Sequence, residues 1–142
     1  MGFITQTDYT SLIRKEVKNI LLEDYSDTKL HGAEQMAISQ VKNYLSGKYD
    51  VNAIFMATGA SRNSHIIMIV IDCTLYHLYT STVPDKMPQT RANRYQDAID
   101  WLKAEKSSVT ASADLPQKTD EKGEVRQGIK ISSKYKASNN RW

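Results

Sequence analysis

The stretch His65-Ile66-Ile67-Met68-Ile69-Val70-Ile71-Asp72-Cys73-Thr74-Leu75-Tyr76-His77-Leu78-Tyr79 decides how the rest of the chain is read. Its β-branched opening would suit a buried strand. Fifteen residues without Gly or Pro, however, exceed the usual strand of about 5–6, and length arbitrates between the two readings. The stretch is therefore read as a central buried helix. An all-α fold follows: a small bundle of about four helices with a long extended C-terminal arm.

The flanking segments carry helical periodicity. Behind Thr7, a candidate N-cap, the residues Tyr9, Leu12, Ile13, Val17, Ile20 and Leu21 recur at helical spacing, which predicts a helix over about 7–22. The polar run Asp24 to Thr28 breaks it. Ala33, Met36, Ala37, Val41, Tyr44 and Leu45 then share a face ahead of Gly47, giving a second helix over about 31–46. Residues 48–63 read as a loop pinned by Ile54 and Phe55, with Asn63 or Ser64 capping the central helix. After the Pro84 and Pro88 loop, Tyr95, Ala98, Ile99 and Leu102 mark a fourth helix over about 90–104. The helical domain is thus expected over 1–104 and the arm over 105–142. From Ser107 to Gly128 the composition is too polar to offset the entropy of ordering, so an extended or flexible strap is expected.

Charge sharpens this division. Nineteen basic against sixteen acidic residues give a net charge of +3, yet residues 1–104 carry eleven of each sign and the whole surplus lies beyond them. From Val125 onward there are five basic residues and no acidic one, a field suited to an acidic protein surface or a phosphate backbone. Within this polar tail Ile129 and Ile131 alternate, and Tyr135 and Trp142 add two aromatic anchors. Ile129, Lys130, Ile131, Lys134, Tyr135, Lys136, Arg141 and Trp142 are therefore the candidate partner-docking residues, since apolar groups interleaved with cations have no core of their own to enter.

Catalytic and cofactor signatures are scarce. The single Cys73 excludes an internal disulfide and reads as a buried thiol. His31, His65 and His77 lack a paired metal-ligand spacing; no Gly-x-Ser-x-Gly elbow surrounds Ser61 or Ser64, and no phosphate loop occurs. The expectation is no enzyme, no metal and no cofactor. Asp72, a carboxylate inside the most apolar helix, requires a partner from Arg62, Arg91, Arg94 or the Tyr76 hydroxyl. An enzyme built on Asp72 and a histidine would need an open cleft joining the two. The N-terminus has no secretory-signal pattern and the longest apolar run, Ile66 to Ile71, is too short to span a bilayer, so a soluble intracellular product with no membrane partner is expected.

The order of parts resembles the small head-tail adaptor (connector, head-completion) proteins of tailed phages, above all those of Mu-like prophages. The stretches that carry the resemblance are Phe3 to Tyr9; Ala33-x-x-x-Ala37-Ile38-x-x-Val41-x-x-Tyr44-Leu45-x-Gly47-Lys48-Tyr49-Asp50; Asp72-x-x-Leu75-Tyr76-His77-Leu78-Tyr79; and Arg91-x-x-Arg94-Tyr95-x-Asp97-Ala98-Ile99-x-Trp101-Leu102. The resemblance implies an all-helical subunit in a homo-oligomeric ring, typically of about twelve copies, beneath the portal protein. Such a ring offers a surface to the tail or tail-completion protein and continues a channel through which DNA passes without sequence recognition. It would place the chain in the virion neck, assembled in the host cytoplasm. The family has no known catalytic residues. The alternative is a helical nucleic-acid-binding protein that uses its basic C-terminal tail against phosphates.

Overall fold

A computed structural model describes residues 3–21, 27–108, 111–112 and 114–119. The described chain is helical: α1 (Ser11–Leu21), α2 (Asp27–Leu45), the short α3 (Val51–Met56), α4 (Ser64–Thr82) and α5 (Gln89–Ser107), with single 3-10 turns at Gln6–Asp8, Gly59–Ser61 and Pro84–Lys86. Four of these helices are long, and no named strand occurs among the described residues.

The stretch that decides the fold is a helix, longer at both ends than its apolar run. Asn63 caps it, its side-chain oxygen accepting from the Ile66 N–H at 3.0 Å, and Thr74 returns its hydroxyl to the Val70 carbonyl at 2.7 Å. The β-branched residues are tolerated because α4 is enclosed: it packs most widely on α2, then on α5, then on α1. Ile66, Val70, Cys73, Thr74 and Leu75 have no exposed surface at all. Side-chain burial outweighs a propensity deficit of a few tenths of a kcal/mol per residue.

On α2 the buried positions Ala33, Ala37, Val41 and Leu45 fall every four residues, so one stripe faces α4, and its two alanines let the helix axes approach closely. On α5 the stripe is Ala98, Ile99 and Leu102. On α1 it is Val17 and Ile20.

The structure corrects three expectations. Thr7 is not a helix cap: Thr5 and Asp8 form a pair in which the Thr5 N–H donates to Asp8 Oδ2 at 2.6 Å, which folds Gln6–Asp8 into a 3-10 turn and delays α1 to Ser11. The connector over 48–63 is not a plain loop. Asp50 accepts from the Ala53 N–H at 3.1 Å and so starts α3, and Gly59, at φ 57°, takes the left-handed conformation that glycine adopts without strain. Finally, the fourth helix, expected over about 90–104, begins at Gln89 and runs on to Ser107.

The strap beyond α5 is tied down as far as it is described. After a turn at Asp114 and Leu115, it lies antiparallel beside Lys48–Asp50: Tyr49 and Gln117 form a bridge, the Asp50 N–H donates to the Pro116 carbonyl at 2.9 Å, and the Lys118 N–H donates to the Lys48 carbonyl at 3.1 Å. Leu115 is buried in the common core.

Candidate functional site

Two polar constructions stand on this frame. The first is a groove of about 880 Å³ floored by α4 and walled by α1 and α5. Ile67, Met68 and Ile71 supply its floor, and charged side chains cross it. The inward stripe of α1 places Glu16 at the edge of its apolar face, where Arg91 of α5 meets it in a two-point contact of 2.7 and 3.0 Å. The Tyr79 hydroxyl also donates to Glu16, at 2.5 Å. One turn further along α5, Arg94 grips Asp72 through both carboxylate oxygens at 2.9 and 3.1 Å.

Of the partners expected for Asp72, Arg94 thus takes both oxygens and Arg91 lies at 3.9 Å. Arg62 instead pairs with Asp8 at 2.6 Å and holds the Phe3 carbonyl at 2.7 Å. Tyr76 stacks on Tyr95, ring centroids 3.8 Å apart. These two rings therefore act as packing.

The second construction is the strap anchor. Lys48 donates from Nζ to the carbonyls of Glu105 and Ser108, both at 2.6 Å, which satisfies orphan groups at the end of α5. Tyr49, with no exposed surface, donates its hydroxyl to Glu105 and accepts the Ser112 N–H at 2.7 Å. Ser112 Oγ closes the triangle on Glu105 at 2.8 Å.

The electrostatics describe fastenings. Burial alone would push the Glu16 carboxyl up, but hydrogen bonds from Arg91 and Tyr79 and the Arg91 charge outweigh it and hold the group below its ordinary value. Asp8 behaves likewise, with burial opposed by Arg62 and Thr5. Burial pushes Glu34, which accepts the Tyr9 hydroxyl, upward. The Cys73 thiol is pushed up to about 12, chiefly by burial and then by the Asp72 charge, and stays protonated.

These directions fix a pH response. For Asp8 and Glu16 the folded value lies below the unfolded one, so the unfolded chain binds more protons as the medium acidifies. Their contribution is complete above the ordinary values of 3.8 and 4.5 and is lost as pH falls through the lowered ones. Glu34 acts in the opposite sense, contributing below 4.5 and losing its contribution as pH rises through its own raised value. The melting temperature, followed by circular dichroism, is expected to fall on acidification below about pH 4, and Glu16→Gln to make that fall shallower.

A shallow hollow of about 290 Å³ adjoins the groove and contains both His65 and Asp72 in its lining, so the two do share an opening, as their spacing on α4 allows. Both Asp72 oxygens accept from Arg94, and the His65 ring stands edge-on to Trp101 at 4.5 Å. His77 bonds to Gln40 at 2.9 Å, and burial lowers its pKa. His31 lies 3.7 Å from Glu34. Among the described residues no group of His, Cys, Asp and Glu could hold a metal ion, and no helix is long and apolar enough to cross a membrane.

The candidate docking residues Ile129, Lys130, Ile131, Lys134, Tyr135, Lys136, Arg141 and Trp142 lie outside the described residues. Sequence reasoning missed Glu16, Lys48 and Glu105 as fastening residues. The position of Glu16 beside the apolar stripe of α1 was the available signal; Lys48 and Glu105 are 57 residues apart and gave none. No family model, curated protein or solved structure matches the chain.

Proposed function

We propose that the chain is a structural head-tail adaptor of a tailed phage, a ring-forming subunit between portal and tail that uses its C-terminal arm to grip a neighbour. One observation carries the reading. The residues through which the chain resembles such adaptors are spent on holding the body together and on fixing the root of the arm. Lys48 and Tyr49 anchor the strap, Asp50 starts α3, and Arg91 and Arg94 lock α5 to Glu16 and Asp72. A small body whose charged groups serve as internal fastenings, and whose strap leaves from a fixed anchor, suits a component that bears on partners and performs no reaction.

Weak arms repeated around a ring reinforce one another, because each engaged arm raises the effective concentration of the next. Alternating Ile129 and Ile131 can add to a sheet edge, while Tyr135 and Trp142 fill apolar pockets.

Deletion of 125–142 is expected to leave a helical body with its melting temperature unchanged that no longer co-purifies with the portal or neck. Normal co-assembly of the truncated chain would refute the docking role. Duplex DNA binding that falls steeply with salt and disappears with the deletion would favour the nucleic-acid reading instead.

A further inference from the structure

Charges that balance along the helical body are sorted by the fold into two unlike faces. Glu16 is the only acidic residue of α1 and is turned inward to Arg91. Arg14, Lys15 and Lys18 are exposed, and their spacing of one, three and four residues gathers them on the outward side of the helix. None has an ion-pair partner among the described residues.

Across the groove, α5 presents the reverse. Arg91 and Arg94 are engaged by Glu16 and Asp72, Arg94 with 48% of its side chain still exposed, and Asp97 and Asp100 stand exposed one turn apart, with Lys103 on the turn beyond. Asp100 accepts a hydrogen bond from Gln96 at 2.9 Å, and neither aspartate has an ion-pair partner among the described residues. Beside Asp97 lies the 290 Å³ hollow, lined by Trp101 and Met68 together with the Asp72–Arg94 pair, Met68 being 43% exposed. An apolar wall under an unpaired carboxylate fits a long cationic side chain, stem against the ring and head on the acid.

We propose that the outward basic face of α1 (Arg14, Lys15, Lys18) packs against the Asp97, Asp100 and Trp101 face of α5 on a second copy of this chain. The inference rests on the reading of the chain as a ring-forming subunit and names the surfaces that meet. The two complementary patches are different parts of one subunit, so each copy can offer one and receive the other, the heterologous arrangement from which rings close. The patches set orientation and encounter rate, and Trp101 with Met68 supplies the desolvated centre.

The full-length chain tests this by sedimentation across concentration and salt. The wild type is expected to self-associate at low ionic strength and to dissociate as salt screens the contact. Arg14→Glu with Lys18→Glu, and separately Asp97→Lys with Asp100→Lys, should each weaken association on the order of 10- to 100-fold. An equimolar mixture of the two reversed proteins should associate again, since each then carries what the other lacks. Undiminished association of either reversed protein overturns the proposal, as does a wild type that stays monomeric up to about 1 mM. So does the loss of association in Lys130→Glu/Lys134→Glu/Lys136→Glu with association retained in the α1 variant, which would make the arm the occupant. The first and third results leave the adaptor reading standing, and a wild type that is monomeric in isolation confines ring formation to the portal surface, where co-assembly with the portal judges that reading separately. Conversely, restored association in the mixture without portal binding would uphold this contact and remove the adaptor role.

Discussion

Tyr49→Ala is expected to lower the unfolding free energy by about 3–5 kcal/mol, the usual cost of truncating a fully buried aromatic side chain. The ring has no exposed surface, and its removal opens a cavity between α2, the end of α5 and the strap. The hydroxyl adds a polar component. It donates to Glu105 and accepts from the Ser112 N–H at 2.7 Å, and burial followed by the Glu105 contact pushes its pKa up, so it remains a donor at neutral pH. Tyr49→Phe isolates that component and should cost about 1–2 kcal/mol, because it strips two partly buried groups of their partner while leaving the packing in place. Urea denaturation of the three proteins measures both. Against a total stability of about 5–15 kcal/mol the alanine variant should be near the edge of folding at 37 °C. Equal losses in the Phe and Ala variants would show that the ring itself is not packed as described.

Arg94→Ala comes second, at about 2–4 kcal/mol. Its two-point contact is what makes the Asp72 carboxylate tolerable where only 7% of that side chain is exposed. Removing one partner of a buried pair commonly costs about 3–5 kcal/mol. Two features reduce the figure here: Arg94 is itself 48% exposed, so water can approach, and Arg91 remains at 3.9 Å. The informative companion is Arg94→Met combined with Asp72→Leu, which removes both charges and should recover most of the loss. Denaturation of the single and double variants closes the cycle, and a loss of under about 0.5 kcal/mol in Arg94→Ala would mean that Arg91 alone satisfies Asp72.

The long helices were legible because burial wrote a period into them. The Ala33, Ala37, Val41, Leu45 stripe and the Ala98, Ile99, Leu102 stripe can be read without any knowledge of their partners, and the length of the His65 to Tyr79 run excluded a strand. What escaped was short or distant. Six residues of α3 span too few turns to show a period, and its start depends on one aspartate. The 3-10 turn before α1 was hidden because Thr5 and Thr7 are equally plausible caps; the choice belongs to Asp8, three residues past Thr5. The strap residues 111–112 and 114–119 looked too polar to be ordered. Their order comes from Leu115 and from hydrogen bonds given by Lys48 and Tyr49, whose partners cannot be inferred from local composition. Asp72 was conspicuous as a charge among apolar residues, so its need for arginine was readable, whereas the choice of Arg94 over Arg62 required the helix packing.

The anchor of the strap also bears on the order in which the molecule is made. Lys48 and Tyr49 find their partners 57, 60 and 63 residues later, so this closure cannot occur until almost the whole helical body has left the ribosome. Local helices form long before such a contact can reward them. The arm's root is therefore a late closure of the fold, and its amides at Asp50 and Lys118 should exchange with deuterium ahead of those inside α4.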